Sequence, residues 1–336
     1  MPLTKDVLHV ETERVAEDVV AFIRDEVGRH YRRKGAVVGL SGGIDSSVTA
    51  ALAVRALGKD KVLGLILPER ESSPTSERLA WSLATRLGID TERADITRML
   101  ESFGVYEKRD RIVGHLFPDV SPPYRFRIVL PQGPETSNRL SVFSIEVEGK
   151  NGDIRRKRLG AEDLWGIVAA TDIKQRTRMV MLYYYAETLN FVVVGTTNRS
   201  ETDQGFYVKY GDGGVDLEPL AHLYKTQVYQ LAAYLDIPEE IIERPPSPDT
   251  YSLEVSDQEF YFRLPYETVD LCLYAIDHRV PASEVAEALD LEERQVEWIL
   301  SDLRRKRALT WHLRELPPSP AGTNNGGSSS LGGVAW

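Results

Sequence analysis

Six residues, Ser41-Gly42-Gly43-Ile44-Asp45-Ser46, separate the apolar run Val37–Leu40 from a helix-forming segment. Glycine-rich turns from strand into helix hold phosphate, because backbone N–H groups turn inward where the helix dipole favours an anion. The common nucleoside-triphosphatase loop, G-x-x-x-x-G-K-[ST], adds a lysine that reaches the β and γ phosphates. This loop carries Asp45 instead. A carboxylate repels phosphate, so a divalent cation, magnesium, is expected between the two. Ser41, Ser46 and Ser47 add hydroxyl groups. The pattern suits release of pyrophosphate as an intact leaving group. The plainer reading is a helix N-cap by Asp45 or Ser46. That accounts for one of the three serines and neither glycine.

A second constellation lies between residues 192 and 241. Thr196 and Thr197 follow a buried strand at its carboxyl end, where open α/β sheets bind ligands. Glu201 offers a second carboxylate for the cation on Asp45. Lys209 and Lys225 are cations suited to phosphate. Tyr210–Gly214, "YGDGG", is too rich in glycine for a helix; it carries Asp212, with Asp216 just beyond. A solvated surface loop is the competing reading, but it has no need of Phe206, Tyr207 and Tyr210 among the glycines.

The surrounding elements must bring these segments together. An amphipathic helix is expected over residues 6–33, with Val15, Val19, Phe22, Ile23 and Val27 on one stripe. Strands are expected at Ala36–Leu40, Val62–Leu67, Thr91–Ile96 and Phe191–Gly195. Helices are expected at Ser46–Leu57, Pro74–Leu87, Ala161–Leu189 and Tyr224–Leu235, and the chain from Glu267 to Arg314 reads as mostly helical. Fully apolar strands alternating with helices predict a Rossmann-like parallel sheet covered by helices on both faces. Residues 105–160 carry five prolines from Pro118 to Pro134 and two strand-like runs, so a β-rich insertion is predicted there. Asn151-Gly152 marks a hairpin. Its basic arm, Arg155–Arg158, reads as a solvated edge more simply than as a docking surface. Residues 196–222 read as a polar loop, and residues 317–336, rich in Pro, Gly, Ser and Asn, as a disordered tail. One domain over residues 1–316 is expected.

The 336 residues carry a net charge of −10 and are 42% apolar. An acidic balance speaks against non-specific nucleic-acid binding. Cys272 is the one cysteine, so no disulfide framework or cysteine metal cluster is expected, and a reducing cytoplasm is the expected compartment. No apolar run is long enough to span a bilayer.

"SGGIDSS" resembles the phosphate loop of the ATP pyrophosphatases, which split ATP between the α and β phosphates and adenylate a substrate. The block "GTTNRSETDQGFYVKYGDGGVDLEPLAHLYKT" resembles NAD synthetase within that superfamily. The resemblance covers residues 15–100 and 160–310. It implies an ammonia-dependent ligase that turns deamido-NAD into NAD through an NAD-adenylate, with ATP as co-substrate. It assigns Gly39, Leu40, Ser41, Gly42, Gly43, Ile44, Asp45 and Ser46 to the ATP phosphates, together with Thr196, Lys225 and Ser247. It makes Asp45 and Glu201 the magnesium ligands. Arg176, Lys209 and Asp216 would bind deamido-NAD, and Asp212 would stand near the incoming ammonia. Arg305 and Lys306 are the nearest matches to a C-terminal basic motif whose histidine is missing, and Pro248 replaces an alanine beside Ser247. The resemblance also implies a homodimer.

Glutamine-using relatives carry an N-terminal nitrilase-like domain. About 35 residues precede the first strand here, too few for a domain, so free ammonia or a separate glutaminase subunit is the expected source. Another ATP pyrophosphatase, amidating a different carboxylate, is the main alternative. A tRNA-modifying enzyme would call for a basic domain or catalytic cysteines. A non-enzymatic nucleotide-binding module would not need two metal carboxylates and the lysines.

Overall fold

The computed structural model describes residues 3–120, 122–131 and 142–318. The central sheet has four parallel strands, β1 (Ala36–Gly39), β2 (Val62–Ile66), β3 (Asp90–Arg93) and β7 (Val192–Val194), in the order β3-β2-β1-β7. Successive residues point to opposite faces, so each strand feeds two cores. Val38, Val62, Ile66, Val192 and Val194 pack with α1 (Thr12–Asp25), α2 (Ile44–Leu57), α3 (Pro74–Leu87) and α8 (Lys225–Tyr234). Val37, Leu63, Leu65 and Val193 pack with α4 (Thr97–Ser102), α5 (Val105–Leu116) and α6 (Ala161–Leu189). The predicted parallel sheet with helices on both faces is therefore present. The chain leaves β1 to build one side of the sheet and returns in β7 on the other. That reversal opens a crevice at the carboxyl ends of β1 and β7.

Glycines close two of these helices as the sequence implies. Gly88 ends α3 with φ 65°, and Gly58 ends α2 with φ 87°. The helix expected over 6–33 is instead a short 3-10 turn at Lys5–Leu8, then α1, then a π turn at Glu26–His30. Val19, Ile23 and Val27 face the core, whereas Phe22 is exposed.

The insertion is partly β. Strands β4 (Arg125–Val129), β5 (Ser144–Glu148) and β6 (Ile154–Arg158) form an antiparallel sheet, and the turn at Asn151-Gly152 joins the last two. Residues 105–116, however, are helix α5. The prolines begin at Pro118, past its end, and Tyr106, Arg109 and Val113 share its inward face. A second correction concerns the polar loop, which contains α7 (Arg199–Gln204). Asn198 and Glu201 form its capping box. A short helix not expected from the sequence, α9 (Glu239–Ile242), follows α8, and the C-terminal segment is helical as expected, in α10 (Tyr266–His278), α11 (Ala282–Leu289), α12 (Glu293–Leu309) and α13 (Trp311–Arg314). The tail beyond residue 318 lies outside the described residues.

Candidate active site

The loop after β1 is built to leave backbone amides open. Gly42 has φ 73°, and a Cβ there would stand 2.3 Å from the Ser76 carbonyl oxygen. Gly43 is the N-cap of α2 and has no side chain to cap with. Asp45 and Ser46 lie inside the helix, so neither is the cap. The amides of the first turn therefore have no side-chain acceptor and face an anion-binding position. The serines brace the loop. Ser46 Oγ and Ser47 Oγ donate to the Gly43 carbonyl at 3.0 and 2.8 Å, and Ser41 Oγ accepts from Gly43 N–H at 3.2 Å.

Beside this loop three elements converge. Lys225, the first residue of α8, places its ammonium 2.5 Å from Asp45 Oδ2 and 3.5 Å from Glu201 Oε1. Asn198 donates to Asp45 Oδ1 at 3.0 Å. Burial, and then the charge of Asp45, push Glu201 well above the usual carboxylate range. Burial disfavours the Lys225 charge, but Asp45 and Glu201 outweigh it and raise the pKa. Two crowded carboxylate oxygens in a desolvated corner form a hard donor set that demands a cation. Asp45 and Glu201 thus present hard oxygen donors of the kind magnesium takes, and in this structure the Lys225 ammonium is the cation between them. Asp257 and Tyr266 close the same corner, with Tyr266 O–H donating to Asp257 Oδ2 at 2.9 Å.

The loop opens into a cavity of about 450 Å³, lined also by Thr196, Asp212 and Ser247. Volumes near this suit a nucleotide-sized ligand. Asp212 accepts from Val208 N–H at 2.7 Å. Desolvation inside the wall lifts it from 3.8 to about 6, and nearby Asp172 adds to the rise. A wider cleft of about 1340 Å³ adjoins the cavity and shares Ser72, Ser247 and Asp249 with it.

Five expected ligand-binding residues lie elsewhere in this chain. Asp216 is committed to the sheet: its carboxylate accepts from Val193 N–H at 2.8 Å and from Tyr183 O–H at 3.1 Å. Lys209 donates to the carbonyls of His312 and Glu315, both at 2.8 Å. Arg305 pairs with Asp302, and Lys306 donates to the Tyr261 carbonyl at 3.0 Å. Arg176 is exposed on α6 and lies 3.8 Å from Asp172. Spacing along the chain gave no sign that each cation already has an internal acceptor.

Other residues were missed. Arg178, on α6, lines the cavity. It donates to the Leu67 carbonyl at 3.1 Å and to Ser72 Oγ at 3.4 Å. Lys174 is buried, with its ammonium 2.8 Å from Glu69 Oε1, Glu71 Oε2 and the Thr250 carbonyl. The signal was present: Ala170, Lys174 and Thr177 share one stripe of α6, and Glu69 and Glu71 directly follow β2. Asp257 had no sequence signal.

A family model described as NAD synthase matches residues 15–115 and 153–317. An NH(3)-dependent NAD(+) synthetase of Rhizobium meliloti is 45% identical over 308 residues, 92% of each chain. One of Methanocaldococcus jannaschii is 33% identical over 92% of this chain and 96% of its own. Two solved structures share the fold at TM-score 0.61. They are an NH3-dependent NAD synthetase of Campylobacter jejuni, 21% identical over 93% of this chain and all of its own, and an NMN synthetase of Francisella tularensis, 24% identical over 94% of this chain and all of its own.

Proposed function

The chain belongs to the NAD synthase family, and we propose that it is an ammonia-dependent NAD synthetase, amidating deamido-NAD at the expense of ATP. The observation that carries this reading is the meeting of Asp45 and Glu201 beside an uncapped helix N-terminus, on the wall of a cavity that also holds Asp212. The nicotinate carboxylate attacks the α-phosphorus of ATP, and pyrophosphate leaves. The loop amides hold the departing phosphates, as oriented donors do wherever charge develops. Magnesium on Asp45 and Glu201 would neutralise the phosphate charge. Thr196, Lys225 and Ser247 are assigned to ATP. Ammonia then attacks the adenylated carbonyl and AMP leaves. Asp212 is assigned the surplus proton from nitrogen, and its place on the cavity wall supports that role.

A homodimer is part of this reading. Trp165, Val180 and Tyr184 are exposed on α6, and Arg176 shares the stripe of Val180 and Tyr184. Packing on this face would bring Arg176 to the subunit interface. Ammonia is taken free or from a separate glutaminase subunit. The basic hairpin supports a solvated arm more than a docking site, since Arg155 pairs with Asp119 and Asp153. A cytoplasmic location fits the single, buried Cys272, and no described helix is long and apolar enough to cross a membrane.

The test supplies deamido-NAD, ATP and magnesium with either ammonium or glutamine and measures NAD and AMP. NAD and AMP in equal amounts with ammonium are expected. No NAD with ammonium would overturn the reading, and AMP formed on another carboxylate would favour a different ATP pyrophosphatase.

A further inference from the structure

The ammonium of Lys225 occupies the point where Asp45 and Glu201 meet, 2.5 and 3.5 Å from their oxygens. A magnesium-sized cation takes carboxylate oxygens at about 2.0–2.1 Å. Like charges repel strongly at such distances, so a cation that claims Asp45 Oδ2 and Glu201 Oε1 must displace the ammonium. Lys225 is only 1% exposed, so the displaced ammonium cannot simply move into water. It needs an acceptor inside the cavity.

Asp257 provides one. The residue is 4% exposed and lines the cavity, and its charge bears on both Lys225 and Asp45. Its Oδ2 is taken by Tyr266 O–H. Its Oδ1 is buried and has no hydrogen-bond partner among the described residues. A buried carboxylate oxygen without a donor is costly unless another state of the protein supplies one. The ring of Tyr266 lies 5.2 Å from the ammonium, and the flexible four-carbon stem of lysine can redirect its head group.

We propose that Asp257 is a positioning residue: it receives the Lys225 ammonium when a divalent cation takes Asp45 and Glu201, and so keeps that charge inside the cavity for the ATP phosphates. This rests on the metal role assigned above to Asp45 and Glu201. The exchange moves a charge and breaks no covalent bond.

The test titrates the protein with Mn²⁺ alone, without nucleotide, and follows free Mn²⁺ by electron paramagnetic resonance. Lys225→Met should bind Mn²⁺ more tightly than the wild type by about tenfold or more, since no ammonium has to be displaced. Asp257→Asn should bind it more weakly by about tenfold, since the ammonium loses its acceptor. General structural damage would weaken binding in both variants, so tightening in Lys225→Met is the discriminating result. A crystal structure with Mn²⁺ alone should place Lys225 Nζ against Asp257 Oδ1. Unchanged or weaker binding in Lys225→Met, unchanged binding in Asp257→Asn, or Nζ still on Asp45 beside a bound cation would each overturn the proposal. If Lys225→Met does not fold, Asp257→Asn and the Mn²⁺ structure decide. Absence of Mn²⁺ binding in the wild type would overturn both this proposal and the metal role. The ammonium-dependent NAD assay on the same preparations tests the synthetase reading separately.

Discussion

Asp45 links the loop to the rest of the site, because its two oxygens face Asn198 and Lys225 from two different later segments. Asp45→Asn removes one of the two carboxylates proposed to hold magnesium but leaves Lys225 paired with Glu201. Turnover should fall at least about a hundredfold, while the circular dichroism spectrum stays native. Normal activity in that variant would remove Asp45 from the chemistry. Asp212 makes a different prediction. Its pKa rises from 3.8 to about 6 on folding, mainly by desolvation. The folded protein thus holds this proton more tightly than the unfolded chain. That contribution to stability is complete below about pH 4 and is lost as pH rises towards 6. Asp212→Asn should flatten the dependence of Tm on pH across that window. An unaltered slope would show that the carboxylate is not desolvated.

At the scale of elements, α6 organises the cavity wall. One stripe of it sends Lys174 into the segment after β2 and Arg178 onto Leu67 and Ser72. Glu71 shows what this achieves. Burial alone would raise its pKa, but the charges of Lys174 and Arg109 outweigh burial and lower it. Arg109 comes from α5, so one network ties α5, α6 and the end of β2 together. Lys174→Met leaves Glu69 and Glu71 without that cation in a dry setting. A loss of about 3–5 kcal/mol is expected in denaturant unfolding, together with weaker ATP binding as the cavity wall loosens. A loss below about 1 kcal/mol would show that the network is hydrated. Here the sequence was least legible. The prolines after residue 117 coloured the reading of the whole insertion, and a lysine in mid-helix looks like a surface residue until its stripe is compared with the neighbouring apolar positions.

For the whole molecule, α6 carries an exposed apolar face with no packing partner among the described residues. Val180 and Tyr184 are 57% and 60% exposed, and they lie one turn apart. Val180→Glu should convert a dimer into a monomer in analytical ultracentrifugation, because an unpaired charge at the centre of an interface is strongly disfavoured. A dimer unaffected by this change would move the seam elsewhere. The antiparallel sheet adds a wall on another side. Phe126 of β4 meets Tyr251 with ring centroids 5.5 Å apart, and Tyr251 lines both the cavity and the cleft.

The sequence by itself determined the phosphate loop, the parallel sheet with its helices, and the expectation that the carboxylates of Asp45 and Glu201 stand together. Those features depend on local periodicity, on glycine and on charges that would repel phosphate if left alone. Only the tertiary structure decided which charged groups are spent inside the protein, as Asp216 and Lys209 show for opposite charges. It also decided that Lys225, 180 residues from Asp45, lies between the carboxylates of Asp45 and Glu201 with Asp257 beside it. The reason is physical. A helix or a turn follows from neighbours in the chain, but the partner of a buried charge depends on which elements pack together.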